Sequence, residues 1–409
     1  EQIRTTLGVS SSADWTEINR SYETGTKRLA RQNVVSETHT GTDSDVYYRY
    51  DPAGNPVEIE DRATSPTDRQ CFTYDGHRRL KSAWTTTADC ATTPAQANVG
   101  GPGKYWHSYA YDSAGNRKSE TDHLADATTS YTYKTADQPR PHALASTETK
   151  KADGTVSART GYTYDASGNT DVRTIDGKGQ NLDFNAEGSL EKVTEADRTT
   201  TEFLNDADGK RLIRRDATGT TLYLGETELR LDKGTGKVAA TRYYPFGGQT
   251  VAVRTTAGLS WTAADHNGTA SLQVDAATQL VTRRQMTPFG ADRGRAEPWV
   301  GERGFVGGTE DPTGLIHLGA REYDPSTGRF VSVDPVADLK DPQQINGYAY
   351  SNNNPVAFAD PDGKFFDSLI GLIVAVVTLV VAVVNYVSSK SSGSNGSGGM
   401  STMGSANYA

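Results

Sequence analysis

The 409-residue sequence predicts an all-β fold, a spiralling sheet of antiparallel hairpins, followed by one short C-terminal apolar helix. Apolar residues make up only 35% of the chain, whereas Gly (41) and Tyr (20) are plentiful, which suits many short strands joined by tight turns. A Tyr-Asp-x-x-Gly-Asn pattern also recurs with a base period of about 20 residues. That period allows one hairpin per unit and is too short for a β-propeller blade, which needs ~40 residues.

Residues 1–46 carry only weak periodicity, and we expect them to be the edge of upstream repeats. The repeats themselves occupy residues 47–225. In each unit the Tyr ends a strand, the Asp accepts backbone hydrogen bonds in the turn, and the Gly supplies a positive φ angle. Because one hairpin is marginally stable alone, neighbouring hairpins must stack and bury the rings between them. The unit starts are Tyr50, Tyr74, Tyr111, Tyr133, Tyr164, Phe184 and Asn205.

Residues 226–363 contain a second set of turn motifs. Two Pro-Phe-Gly turns, at 244–247 and 287–290, flank His266. A turn-capping role is expected for His266 rather than a catalytic one, because no Ser or Cys partner lies nearby in sequence. Asp-Pro steps, each marking the end of a strand, follow at Asp324, Asp334, Asp341 and Asp360.

The spacings within residues 314–363 resemble the core domain that closes bacterial Rhs/YD-repeat proteins, and the units of residues 47–225 resemble their YD repeats. This resemblance implies a β-shell closed by an Rhs core domain, residues 226–363, with the C-terminal segment as its cargo. The matching core residues are Gly314, Gly319, Ala320, Arg321, Tyr323, Asp324, Pro325, Gly328, Arg329, Phe330, Asp334, Pro335, Asn354, Pro355, Asp360, Pro361, Asp362 and Gly363.

The same resemblance implies self-cleavage just after the core, with Asp334 and Asp360 as the catalytic pair. Two carboxylates held close together cannot both ionise easily, so one can act as acid while the other activates water. Arg329 is the candidate that orients the pair, and Asp338 is an alternative partner because the first motif departs from the family string. The alternative for all of these aspartates is a role in ending strands and capping turns. The predicted cut lies among Gly363, Lys364 and Phe365.

Residues 364–387 include twenty consecutive residues, 368–387, without a charge. As a helix these span about 30 Å, the thickness of the bilayer's hydrocarbon core, and a membrane-type helix is favoured over a pair of buried strands. Residues 388–409 are rich in Ser and Gly, which predicts disorder. Residues 364–409 contain no His or Cys, so we expect the cargo to be membrane-active rather than enzymatic.

Cys71 and Cys90 are predicted to form a disulfide, which favours an extracellular, secreted or cell-surface protein over a cytosolic one with two free thiols. Net charge is −9 without a local basic patch, so we expect no nucleic-acid partner. No metal, phosphate-loop or cofactor motif occurs in the sequence, and we expect no cofactor.

Three functions are compatible with these observations. The first is a secreted shell that encapsulates its own C-terminal segment and releases it by self-cleavage, at most as an aspartyl autoprotease. An immunity protein and a target-cell membrane remain open as further partners. The alternative is an exported structural or adhesive surface protein that is anchored by its hydrophobic segment, and a third is a shell whose toxin has degenerated.

Overall fold

The computed structural model describes residues 2–8, 15–135, 139–336 and 343–364. Within them lie two β-sheets and two short 3-10 turns, Phe305–Gly307 and Tyr350–Asn353. The large sheet comprises β1 (Gln2–Leu7), β2 (Thr16–Tyr22), β3 (Leu29–Ser36), β4 (Ser44–Tyr50), β5 (Pro56–Asp61), β6 (Asp68–Tyr74), β7 (Leu80–Thr85), β8 (Trp106–Tyr111), β9 (Arg117–Asp122), β10 (Ala127–Tyr133), β11 (Leu144–Lys151), β12 (Val156–Tyr164), β13 (Thr170–Ile175), β14 (Lys178–Phe184), β15 (Leu190–Thr194), β16 (Thr200–Asn205), β17 (Arg211–Arg215), β18 (Gly219–Leu224), β19 (Thr227–Asp232), β20 (Val238–Phe246), β21 (Gln249–Thr255), β22 (Gly258–Ala264), β23 (Ala270–Asp275) and β24 (Val281–Arg283). The small sheet comprises β25 (Thr309–Glu310), β26 (Ile316–Leu318), β27 (Arg321–Asp324) and β28 (Arg329–Phe330).

Each strand of the large sheet pairs antiparallel with its neighbours in sequence, as in the β16–β17 and β17–β18 pairs. The result is a meander of consecutive hairpins, which confirms the predicted all-β hairpin architecture. The sheet runs without interruption across residue 225 and ends at Arg283.

The large sheet curls until its first strands face its last. The Arg20 guanidinium on β2 donates to Gln249 Oε1 at 2.6 Å, across 229 residues of sequence. Gln32 Nε2 on β3 donates to the Ala264 carbonyl at 3.0 Å. Apolar side chains from the two ends bury each other in one cluster, including Leu7, Ile18, Val34, Ala263, Leu272 and Val274.

The repeat turns have the chemistry that the sequence predicts. Asp51 accepts the Asn55 backbone N–H at 2.9 Å and its side-chain amide at 2.7 Å, and Gly54 has a φ of +93°. The Tyr50 hydroxyl donates to the Leu29 carbonyl at 2.8 Å, which ties the unit to an earlier strand. The same hydroxyl-to-carbonyl bond joins Tyr74 to Pro56, Tyr111 to Leu80 and Tyr164 to Leu144.

Residues 285–336 and 343–364 form a core segment that packs on the inner face of the curled sheet. Leu315 and Val331 of this segment are buried against Leu182, Val193 and Phe203 of the sheet. Buried ion pairs connect the same two layers. They join Arg211 to Asp311 and Glu322, Arg214 to Asp311 and Glu302, Arg173 to Asp324, and Arg293 to Asp68.

The predicted disulfide between Cys71 and Cys90 is confirmed, with Cα atoms 5.4 Å apart. It joins β6 to the loop after β7 and closes a long hairpin. No helix among the described residues has the length and apolar character needed to cross a membrane. The apolar segment predicted for residues 364–387 lies, from residue 365 onward, outside the described residues, as does the predicted disordered tail, 388–409.

Candidate self-cleavage site

Asp334 and Asp360 meet at one guanidinium nitrogen. Arg321 Nη2 lies 3.0 Å from Asp334 Oδ2 and 2.8 Å from Asp360 Oδ2. The two carboxylate oxygens are therefore at most 5.8 Å apart, the sum of those two distances. The structure brings the two predicted catalytic aspartates together through a residue 39 positions before Asp360 in sequence.

The remaining nitrogens of Arg321 hold the backbone next to the pair. Nε donates to the Gly363 carbonyl at 2.5 Å and Nη1 donates to the Gly347 carbonyl at 3.1 Å. The guanidinium carbon lies 3.6 Å from the ring centroid of Phe330, so the cation also stacks on an aromatic face. Each of the three guanidinium nitrogens of buried Arg321 thus has a hydrogen-bond partner.

Two glycines permit this approach of chain segments. Gly319, in the β26–β27 turn, has a φ of +53°, and a Cβ there would lie 2.4 Å from the Asp362 carbonyl oxygen. Gly363 has a φ of +65°, and its Cβ would lie 2.2 Å from the Leu318 carbonyl oxygen. The Ala320 backbone N–H donates to the Asp362 carbonyl at 2.9 Å. The motif glycines therefore let residues 360–364 lie directly against the β26–β27 hairpin.

Asp360 also contacts the predicted cut region directly. Its Oδ1 accepts the Lys364 backbone N–H at 3.1 Å, and Asp362 Oδ1 accepts the same N–H at 3.1 Å. The Asp360 backbone N–H donates to the Tyr350 hydroxyl at 3.2 Å. The peptide group between Gly363 and Lys364 is consequently held at its oxygen by Arg321 and at its nitrogen by two carboxylates.

Burial dominates the protonation of the pair. Burial raises the pKa of Asp360 to about 6, and the charge of Arg321 opposes this rise. The Asp362 side chain and the Asp334 charge act in the same direction as burial. Burial likewise raises the pKa of Asp334 against the opposing effect of Arg321. Burial also lowers the pKa of Arg321 itself. Asp360 is therefore half protonated at about pH 6, so one carboxyl of the pair can carry a proton at mildly acidic pH while the other is ionised.

The structure places the other predicted site residues as follows. Arg329 does not orient the pair: its guanidinium donates to the Tyr133 hydroxyl at 3.2 Å and the His142 carbonyl at 2.6 Å, so it ties the core segment to the sheet. Arg321 holds the position expected for Arg329. Asp338 and Phe365 lie outside the described residues.

His266 anchors a turn, as the sequence suggests, with Nε2 donating to the Val356 carbonyl at 2.7 Å. Among the described residues, no group of three or more His, Cys, Asp or Glu side chains is arranged to hold a metal ion.

A cavity of about 1030 Å³ adjoins Asp334 and Lys364. Arg321, Asp334 and Lys364 line one side of it, whereas Phe184 and Tyr223 of the large sheet line the other. The last described residue of the chain thus faces an open volume bounded by the inner face of the sheet.

Comparison with known proteins identifies relatives of this arrangement. A family model described as Teneurin YD-shell matches residues 95–356. The chain is 27% identical over 402 residues to toxin subunit YenC1 of Yersinia entomophaga, an alignment that covers 84% of this chain and 39% of that protein. It is 29% identical over 190 residues to Teneurin-3 of Danio rerio, covering 43% and 7% of the two chains. The crystal structure of TcdB2-TccC3-Cdc42 shares the fold, with a TM-score of 0.59, 21% identity, and coverage of 85% of this chain and 18% of that one. The chain thus spans less than half the length of these relatives.

Proposed function

This chain belongs to the Teneurin YD-shell family, and we propose that it is part of a secreted shell that encloses its own C-terminal segment and cuts that segment free. The observation that carries the proposal is the Asp334–Arg321–Asp360 arrangement against the peptide group of Gly363 and Lys364. The disulfide between Cys71 and Cys90 supports an oxidising, extracellular location.

The proposed reaction is hydrolysis by an acid–base pair. Asp334, which is more exposed than Asp360, takes a proton from water as the water oxygen attacks the Gly363 carbonyl carbon. The bond from that carbon to the Lys364 nitrogen then breaks, and protonated Asp360 delivers its proton to the leaving nitrogen, 3.1 Å away. The products are a carboxylate on the core and a free amine on the cargo. This geometry favours the bond after Gly363, with the bond after Lys364 as its neighbour within the predicted region.

Arg321 would serve as the positioning and charge-stabilising residue. Its Nε–H donates to the Gly363 carbonyl oxygen, the atom on which negative charge develops during attack. Because the same guanidinium contacts both aspartates, it also fixes their separation.

The enclosed cargo would be membrane-active. Residues 368–387 carry no charge, and residues 364–409 contain no His or Cys with which to build an ordinary catalytic centre. The position of Lys364 on the wall of the inner cavity supports a path for the cargo into the shell. A target-cell membrane, and an immunity protein that neutralises the segment, are the partners expected of such a cargo.

Intact-mass spectrometry of the purified chain over time tests the proposal. The wild-type chain is expected to yield two pieces whose masses identify a cut after Gly363 or Lys364. Asp360→Asn should stay uncut, because Asn keeps the turn but cannot supply the proton. Asp206→Asn, at an exposed turn where Asp206 accepts the Lys210 N–H at 2.9 Å, is the matched control and should cut normally. One uncut wild-type mass, stable over days, would overturn the proposal.

A further inference from the structure

The large sheet has an apolar outer face on strands β16–β20. On the inner face of these strands, Phe203 and Arg214 are paired across the β16–β17 boundary, and both are buried against the core segment. Side chains alternate between the two faces of a strand, so their neighbours Leu204 and Ile213 point outward. Cross-strand pairing extends this outward row over five strands, from Leu204 through Ile213, Leu222 and Leu229 to Ala240.

This row, which we call the apolar outer row, has further aliphatic neighbours on the same face. Leu224, Leu231 and Val238 flank it, and Leu231 and Val238 are directly paired. Leu204 is 46% exposed, Leu224 52%, Leu231 44% and Val238 63%. The outer face of β14 and β15 is different, since it carries Asn181, Asp183, Lys192 and Thr194. A contiguous exposed aliphatic surface of this kind is typical of an interaction site.

Cationic side chains border the apolar outer row. Arg242, two residues after Ala240 on β20, lies directly opposite Arg254 on β21, and both are exposed. Like charges placed opposite each other destabilise a sheet. No carboxylate in the described part of the chain forms an ion pair with either guanidinium, and Arg242 instead lies 5.5 Å from the ring centroid of Tyr244. Both cations can therefore bind an external anion.

The hairpin that carries these arginines ends in an exposed aromatic residue. Phe246, in the first Pro-Phe-Gly turn, is 63% exposed, whereas Phe289, in the second such turn, is 4% exposed and packs in the core. The same sequence motif therefore serves two purposes. At Phe289 it fills the interior, and at Phe246 it exposes an aromatic ring at the end of the hairpin that carries the two arginines.

We propose that this face docks on the headgroup region of a bilayer that contains anionic phospholipids. Aliphatic side chains, an exposed aromatic ring and bordering arginines are the composition of interfacial membrane-binding surfaces. Each of β16–β20 is hydrogen-bonded on both sides, so a peptide partner cannot add a strand here. Only side chains on this face can contact a partner, because the backbone groups are already paired. A lipid surface can bind such side chains without a shape complementary to the face.

This surface belongs to the shell wall and does not depend on the apolar segment of residues 368–387 or on self-cleavage. Vesicle flotation of the full chain, with phosphatidylcholine vesicles that contain or lack phosphatidylserine, tests it. The wild type should prefer vesicles with phosphatidylserine, and added salt should weaken that preference. Replacing both Arg242 and Arg254 by Gln should weaken binding roughly 25-fold, since each arginine near an anionic surface contributes about fivefold.

Two further variants make the result decisive. Arg242→Lys with Arg254→Lys keeps both charges and should bind like the wild type. Arg159→Gln with Lys192→Gln removes two charges from the polar outer face of β12 and β15 and should also bind like the wild type. Equal binding by the wild type and the Arg242→Gln, Arg254→Gln variant would assign any membrane affinity to the C-terminal segment and overturn the proposal. A wild-type chain that ignores phosphatidylserine, or that instead self-associates through Leu231 and Val238, would overturn it as well.

Discussion

If the chain cleaves itself as proposed, the raised pKa of Asp360 should make the rate of cleavage depend on pH in a definite direction. In the proposed reaction Asp360 donates a proton, so the rate follows its protonated fraction. With a pKa of about 6, half of the carboxyl groups are protonated at pH 6. Above the pKa this fraction falls tenfold per pH unit, so cleavage should slow roughly 50-fold between pH 6 and pH 8.

The other limb of the profile belongs to Asp334. Burial raises its pKa as well, and it must be ionised to accept a proton from water. The rate should therefore fall again at acidic pH, which gives a bell-shaped profile whose limits belong to the pair rather than to either residue. The Asp362 side chain contributes to the raised pKa of Asp360, so Asp362→Asn should shift the alkaline limb to lower pH.

The assay is a time course of intact mass from pH 4 to pH 9 on chain that is unfolded in denaturant, then diluted into each buffer. Fragment yield at early times gives the rate, and the fluorescence of the tryptophans confirms refolding in every buffer. A rate that is constant between pH 6 and pH 8, or that rises with pH, would refute Asp360 as the proton donor. An Asp362→Asn profile identical to the wild type would refute the stated origin of the pKa.

Two further predictions concern stability. Arg211→Met leaves Asp311 buried beside one cation fewer and should cost about 3–5 kcal/mol, or a fall in melting temperature of about 5 °C. Arg159→Met, which removes the cation of an exposed pair, is the control and should leave the melting temperature nearly unchanged. Burial raises the pKa of Asp311 and the Arg211 charge opposes this, so losing Arg211 should raise that pKa further. Because protonation of Asp311 then removes the unpaired buried charge, the destabilisation of Arg211→Met should shrink as pH falls. A destabilisation that grows as pH falls would contradict this. Replacing Cys71 and Cys90 by Ser opens a loop spanning 19 residues and should lower the free energy of unfolding by about 3 kcal/mol. Calorimetry should then show a lower melting temperature, and an unchanged melting temperature would contradict the prediction.

The repeat architecture could be predicted from sequence because its determinants are local. Asp51, Gly54 and Asn55 form their turn from groups within five positions, so the pattern alone predicts the hairpin. The pairing of Asp334 with Asp360 could be predicted only from the family resemblance, and both carboxylates contact the Arg321 guanidinium. Their catalytic role stays a prediction.

The identity of that cation could not be predicted in the same way. Sequence proximity favoured Arg329 for Asp334, but the contact depends on the β26–β27 hairpin and on Gly319 and Gly363, which bring distant backbone segments together. Sequence position alone could not choose between two arginines of the same motif.

The exposure of the apolar outer row could not be predicted from the sequence either. Strand alternation places Phe203 and Leu204 on opposite faces, but it does not say which face is covered. The cover comes from Leu315 and Val331, more than 100 residues further along the chain. Only tertiary packing shows that Phe203 is buried and that Leu204 is exposed.

The most direct test of an enclosing, self-cleaving shell is whether the cut C-terminal piece stays with the protein that released it. Size-exclusion chromatography of the cleaved chain under native conditions, followed by mass spectrometry of the shell peak, measures this. We predict that the C-terminal piece elutes with the shell, survives added protease, and separates only in denaturant. A C-terminal piece that elutes alone or is digested as soon as it forms, or a chain that is never cut, would contradict the account.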